Sequence, residues 1–563
     1  MTLSATVSAN SAPRRERYEQ RAGLHVLRLS GDDYEMGYQH GQLLREAMAR
    51  GPVPYFEQYI EKLLGTSLGP STGRLAAKVL AATVGRRVAR GFPPHARRAL
   101  HGLADGAGLG RRALMGAVTM PESYLWLLKL IMQIERPAPA PRHAVPLMGC
   151  TSAMAWGEAT RDGALLHGRN FDYQGVGAWD REQAVVFHRP SDGQPYVSVA
   201  AAGILFGGIT AMNEAGLSLV VHQHMASTDL RLGGTPIGVT GDQVMRYAKN
   251  LDDAQRILDE DTPNGCWTYV LGSAREQAAL CYEITPRGRA AFRIDDGSFG
   301  YSNIYLDPDL AESELHLYPS QWRNNTARFH RVRGRLTDAR GRIDENEIAS
   351  ILGDRSDPRC RLRHAIAMPM TVASVVFRPA DALVYVAPGR APTSNREFVA
   401  FDLSREDLRE DLPALRGGVP DDADARDAFD AYRDAYEAYF NSSDTGSARR
   451  HITRACELAP GEALYHFMSG LLALVDRAPS AAERAFDRAL ELGHPDAERL
   501  AAFHLWRGRS RDVQGRRAQA LADYRLVERA DHAVERAARR GLRRAWRPRR
   551  FGIEFALADV PTP

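Results

Sequence analysis

The stretch that decides the fold runs Met148-Gly149-Cys150-Thr151-Ser152-Ala153-Met154-Ala155-Trp156. Gly157-Glu158-Ala159-Thr160-Arg161-Asp162-Gly163 follows, and then Ala164-Leu165-Leu166-His167-Gly168-Arg169-Asn170-Phe171-Asp172. Both flanks are short and apolar, and Asp162-Gly163 is a turn signal, so the whole reads strand, turn, strand. A hairpin centred near Arg161 sets Cys150 opposite a residue near 172 to 175. Asp172 and Arg169 then lie close to the thiol.

That company suits a nucleophile. A free cysteine titrates near ~8.5, and a guanidinium beside it favours the reactive thiolate. Three groups are candidates for the general base. His143 and His167 would give a Cys-His pair. The third is the cysteine's own α-amine, which exists once the Gly149–Cys150 bond is cut and titrates at ~7.7 to 8.0, near working pH. Gly149 favours such a cut, because without a side chain it leaves its carbonyl open to the thiol. Asp172 would then orient the amine.

Gly149-Cys150-Thr151-Ser152 followed by Gly168-Arg169-Asn170-x-Asp172 resembles the N-terminal nucleophile hydrolases of the penicillin acyltransferase type, relatives of the choloylglycine hydrolases. Tyr34 to Gly41, Met212-Asn213-Glu214-Ala215-Gly216-Leu217, Tyr301-Ser302-Asn303, Ala327-Arg328-Phe329 and Ala382 to Ala387 are similar in the same order. The resemblance covers roughly residues 24 to 404. It implies an autoproteolytic amidohydrolase or acyltransferase, cut between Gly149 and Cys150, that carries acyl groups as a thioester on Cys150. It also implies that Asp172 binds the α-amine, Arg169 flanks the thiol, the Asn213 backbone or side chain and the Asn303 side chain stabilise the oxyanion, and Arg328 completes the polar network. Where the family has Asn-His, this chain reads Asn303-Ile304. The implied fold is a four-layer αββα sandwich. Read from the residues alone, Asn213 in Asn-Glu-Ala-Gly also suits a turn.

The surrounding chain agrees with an α+β protein. With 563 residues, 44% of them hydrophobic, there is material for two or three domains. Residues 1–23 read as a disordered start: Arg14, Arg15 and Arg17 have no apolar segment behind them, so no secretory signal is visible. Residues 24–149 read as a helical segment, in which Gly37 and Gly41 share one helix face. Residues 150–404 change to short strand runs interrupted by helices and form the expected catalytic domain. The apolar run Tyr124 to Met132 is too short for a bilayer and reads as a pocket-lining helix. Gly203 to Gly208 lacks the Lys-Ser/Thr of a phosphate loop and reads as a close backbone approach near the pocket.

Residues 405–424 read as a charged linker, and 425–563 as an independent helical unit with glutamates recurring at a spacing near 34, similar to tetratricopeptide repeats. Such repeats offer a surface for a protein partner. Five scattered cysteines fit a reducing, cytoplasmic setting. His222 and His224 alternate on one strand face without a third ligand, so no metal is expected, and no motif calls for a cofactor. A net charge of +4 does not imply nucleic acid, and no membrane span is visible. The expected ligand is a small-molecule amide or acyl donor.

Overall fold

The computed structural model describes residues 16–134, 149–173, 175–224, 227–314, 319–355, 365–494, 497–527 and 532–548. The chain is mixed α/β, built on two sheets. The nine-stranded sheet runs, in spatial order, Tyr18–Arg21, Leu24–Gly31, Gln183–Pro190, Tyr196–Ala201, Thr210–Asn213, Leu217–Gln223, Trp267–Ser273, Ala278–Ile284 and Arg289–Ile294. Its neighbours are antiparallel except Leu24–Gly31 beside Gln183–Pro190. The seven-stranded sheet is Ser298–Ser302, Gly149–Gly157, Gly163–Asp172, Thr371–Arg378, Leu383–Val386, Val399–Asp402 and Asp407–Leu408, antiparallel throughout.

One apolar cluster joins the facing sides of the sheets, with Met154, Trp156, Leu165 and Phe377 meeting Val26, Phe187, Val220 and Val270. The other side of the seven-stranded sheet packs Ala153, Leu166 and Val376 against helices Pro319–Asp338 and Glu345–Leu352. The other side of the nine-stranded sheet packs Leu27, Leu29 and Val186 against Asp33–Leu43 and Pro94–Ala107. Those two helices touch through glycine: a Cβ on Gly37 would stand 2.1 Å from the Ala99 carbonyl oxygen, and one on Gly41 2.3 Å from that of Leu103.

Three expectations change. The hairpin register is one residue tighter than the spacing suggested: Cys150 faces Phe171, Gly149 faces Asp172 and Ser152 faces Arg169. The cause is the loop Glu158–Asp162, entered and left through glycines of positive φ (57° at Gly157, 80° at Gly163), with a register shift between Ala155 and Gly157.

The N-terminal segment is not wholly helical, nor is all of its start disordered. Tyr18–Arg21 and Leu24–Gly31 are strands, the second nearly all buried, so its apolar run has no two-residue alternation to mark it.

Finally, residues 405–424 are not a free linker, and the helices after them are not independent. Asp407–Leu408 is a strand, and Gly417 and Gly418 pack on Asn346 and Ser394. From Ala423 to Arg543 the described elements are all helices. Ala428, Phe429, Tyr432 and Tyr436 from the first of them share one core with Phe56, Tyr59, Tyr173 and Trp179. Polar contacts tie the same helix down: Tyr55 Oη donates to Asn441 Oδ1 (3.1 Å), Lys62 Nζ to the Tyr439 carbonyl (3.1 Å), and Arg433 Nη1 to the Ala391 carbonyl (2.7 Å). Among the described residues no helix is long and apolar enough to cross a membrane.

Candidate active site

Strand alternation divides the hairpin's chemistry between two faces. Cys150 and Ser152 point with Phe171 and Arg169 toward the space between the sheets, while Gly149 and Thr151 lie with Asp172 and Asn170 on the helix side. The thiol is 3% exposed. Arg169 Nη2 donates to Cys150 Sγ (3.4 Å) and to the Val221 carbonyl (2.9 Å), and its guanidinium lies 4.7 Å over the Phe171 ring. Its Nε and Nη1 are buried without partners. Burial pushes the Cys150 thiol above its ordinary value, and the Arg169 charge opposes that.

On the helix side the main chain of Cys150 is held at both ends. Its amide N–H donates to Asn303 Oδ1 (2.7 Å), and its carbonyl accepts from Arg328 Nη1 (2.7 Å). Arg328 is fully buried and spends every nitrogen. Nε donates to Asn324 Oδ1 (3.0 Å), Nη1 also to Thr151 Oγ1 (2.9 Å), and Nη2 to Asn303 Oδ1 (3.2 Å) and Asn325 Oδ1 (2.8 Å). Asn303 Nδ2 donates to the Gln223 carbonyl (2.9 Å), and Asn325 Nδ2 to the Asn303 carbonyl (2.8 Å). Asn324 and Asn325 went unnoticed in the sequence; their signal was spacing, since residues three and four before Arg328 share its helix face.

Asp172 is buried beside Gly149. Its Oδ1 accepts from Thr371 Oγ1 (2.5 Å), and its Oδ2 has no partner. Burial raises its carboxyl, while the Arg328 charge and the Thr371 hydroxyl lower it. A Cβ on Gly149 would lie 3.1 Å from Arg328 Nη2 and 3.2 Å from Asp172 Oδ2, so these two polar groups bracket the residue before Cys150.

Cys150, Arg169, Asp172, Asn303 and Arg328 are thus brought together. Asn213 is not. Its side chain donates to the carbonyls of Met245 (3.1 Å) and Ala248 (3.0 Å) and accepts from the Leu217 N–H (3.0 Å), which closes the turn between two strands of the other sheet. The turn consumes the hydrogen bonds of the Asn213 side chain, and Asn213 is not among the residues lining the pocket at the thiol, so the oxyanion role expected of it finds no support here.

Among the described residues no hydrogen bond joins a histidine to the Cys150 thiol. His143 lies outside the described residues. His167 faces Met154, four residues along from the thiol; its Nδ1 meets Ser218 Oγ (2.9 Å), and burial lowers it to about 3. His222 Nε2 pairs with Ser152 Oγ (2.7 Å), and His224 with Glu314 Oε1 (2.7 Å) and Thr268 Oγ1 (2.9 Å).

The thiol opens onto a pocket of about 1220 Å³, open space at its mouth included. Arg169 and Asn303 line it beside Cys150, and Val53, Phe56, Leu125, Tyr173 and Trp179 are among its apolar walls. The segments Gly203 to Phe206 and Pro121 to Leu125 both contribute to it. Tyr173, Trp179 and Phe56 are backed in turn by the C-terminal helix through the shared core.

Residues 159–391 match the family described as "Acyl-coenzyme A:6-aminopenicillanic acid acyl-transferase". This span contains Arg169, Asp172, Asn303 and Arg328, and Cys150 precedes it. A protein of Archaeoglobus fulgidus, described as uncharacterized, is 28% identical over 305 residues, which are 52% of this chain and 47% of that one. The chain therefore spans about half the length of this relative.

Two solved structures from Caenorhabditis elegans are also similar. The N-terminal domain of stress-induced protein-1 covers 22% of this chain and 99% of its own at 18% identity, with a TM-score of 0.20. An N-acylethanolamine-hydrolyzing acid amidase ortholog covers 41% and 93% at 14% identity, with a TM-score of 0.29.

Proposed function

We propose that the protein is a self-processing cysteine amidohydrolase or acyltransferase acting on linear amides or acyl thioesters. In this reading its sheets and flanking helices form a four-layer αββα sandwich of the N-terminal nucleophile type. The observation that carries the proposal is the surroundings of the Gly149–Cys150 bond. The Cys150 amide N–H is held by Asn303 Oδ1, and the buried acceptor Asp172 Oδ2 stands open beside Gly149. A buried carboxylate oxygen without a donor is costly, and an α-ammonium on Cys150 would satisfy it.

Processing begins when Sγ of Cys150 attacks the Gly149 carbonyl carbon. The C–N bond breaks, the amine leaves with a proton, and a Gly149 thioester forms. Water then cleaves the thioester, giving the Gly149 carboxylate and the free thiol.

In turnover the Cys150 α-amine takes the thiol proton, and Sγ adds to the substrate carbonyl. The oxyanion is stabilised by the free N–H groups of Arg169 and by Asn303 Nδ2, each such donor being worth about 3 kcal/mol. Collapse returns the proton to the leaving amine or thiol and leaves an acyl thioester on Cys150. Water or an amine then accepts the acyl group.

The apolar pocket supports an acyl group with substantial hydrocarbon surface. The helical C-terminal region, read as tetratricopeptide-like, offers a surface for a protein partner while backing the pocket.

The test is to mix protein with a short-chain acyl thioester, quench in acid and weigh the peptides. The reading requires one acyl adduct on the peptide that begins at Cys150, discharged by hydroxylamine and missing from Cys150→Ala. An adduct elsewhere, or turnover retained by Cys150→Ala, overturns it.

A further inference from the structure

Beside the Cys150 pocket lies a smaller chamber of about 360 Å³, open space included, which shares Glu122, Leu125, Gln223 and Trp267 with the main pocket. Its character is unspent hydrogen-bonding capacity. Asn264 is 5% exposed; its amide N–H is turned to the Glu122 carboxyl, and its Oδ1 meets no partner within the chain. Trp267, 8% exposed, likewise leaves Nε1 unpartnered. Buried polar groups in native proteins are nearly always satisfied, so an open amide oxygen and an open indole N–H on two neighbouring side chains point to a ligand.

Glu122 adds charge. Burial lifts its carboxyl to about 7, opposed by its own backbone amide and the Asn264 side chain, with no cation offsetting it. The other ionisable groups lining the chamber are occupied or peripheral: His224 is engaged by Glu314 and Thr268, Cys266 Sγ donates to the Asp229 carbonyl (3.3 Å), and Arg231 is exposed. The chamber adjoins the thiol's own network through Gln223, whose carbonyl accepts from Asn303 Nδ2.

We infer that Glu122, Asn264 and Trp267 form a subsite for a primary ammonium group carried by the substrate, separated from the scissile carbonyl by an apolar spacer. An ammonium donates to the Glu122 carboxylate and to Asn264 Oδ1. Trp267 Nε1 is left for a carbonyl or hydroxyl oxygen next to the amine. The walls between this subsite and Cys150, Leu125 and Ile204 among them, suit a hydrocarbon spacer. An amino-terminated ligand is therefore preferred over a purely hydrocarbon one.

The word substrate rests on the proposed function, but the subsite does not need turnover to be seen. Octylamine and octanol are titrated into Cys150→Ala protein at neutral pH by calorimetry, and the titrations are repeated with Glu122→Gln and Asn264→Leu added in turn. Melting curves establish that each variant is folded. Octylamine should bind more tightly than octanol, by roughly ten- to a hundredfold, and each added substitution should remove most of that preference. Equal binding of the two ligands, or a preference that survives both substitutions, overturns the subsite. An acyl-enzyme failure accompanied by a normal octylamine preference would strike the cysteine chemistry alone.

Discussion

Two arginines bury themselves beside Cys150, one on each side of its strand, and they are used in opposite ways. Arg328, on the helix side, donates from all three nitrogens to side chains and to the Cys150 carbonyl. Arg169, on the pocket side, donates from Nη2 alone and keeps Nε and Nη1 open. The first arrangement fixes a backbone. The second leaves hydrogen-bonding capacity open which, in the proposed function, serves a charge that arrives with the substrate. Buried N–H groups left open on a guanidinium cost free energy in the resting protein, and under the proposed function that cost is recovered when a thiolate or an oxyanion forms beside them.

Breaking the helix side should have the largest effect on folding. Arg328→Met leaves Asn303, Asn324, Asn325 and the Cys150 carbonyl without their shared donor, so a loss of about 3 kcal/mol or more is expected in denaturant unfolding. A variant as stable as the parent would mean that the network contributes little.

Removing residues from about 425 onward belongs in the same class. The cut strips Phe429, Tyr432 and Tyr436 from a core they share with the walls of the pocket. The truncated chain should aggregate or bind a hydrophobic dye, whereas a folded, active truncation would restore the idea of an independent unit.

Breaking the pocket side should spare the fold and damage the chemistry. Arg169→Lys replaces a planar fork with a point charge, and turnover should fall by roughly a hundredfold with little change in melting. The thiol should also respond, because Arg169 opposes the upward push of burial on Cys150. In Arg169→Met the pH midpoint for alkylation by iodoacetamide should move upward. A midpoint that stays put or falls would remove Arg169 from the thiol's electrostatics.

Smaller effects sharpen the contrast. Asn213→Ala should cost about 1 to 3 kcal/mol of stability from its turn and leave the turnover of folded protein intact; a selective loss of turnover would reinstate it in the site. Glu122 gives a pH signature. Its folded pKa, about 7, lies above the ordinary 4.5, so its contribution to stability is fully present below 4.5 and is lost as pH rises through 7. Glu122→Gln should therefore gain stability relative to the parent as pH rises from about 4.5 to 7, as read by melting temperature.

The sequence made the hairpin legible because Asp162-Gly163 marks a turn between two apolar runs, and from it came the neighbourhood of Cys150, Arg169 and Asp172. The register slipped by one because the loop begins and ends on positive-φ glycines, which spacing alone does not reveal. Leu24–Gly31 was illegible as a strand because it is buried on both sides and lacks alternation. Residues 405–424 looked like a linker because they are charged, yet part of that charge pairs with the seven-stranded sheet, as in Arg409 to Asp402 (3.2 Å). Glu122 was hidden by the apolar helix that carries it. Its meaning depends on Asn264 and Trp267, which are distant in sequence.

The central claim is that the Gly149–Cys150 bond is cut by its own thiol, and intact-mass analysis of freshly purified full-length protein tests it most directly. The account predicts two chains that co-purify, the larger beginning at Cys150, and a single uncut chain for Cys150→Ala. A wild-type protein that is one intact chain and fully active would contradict it.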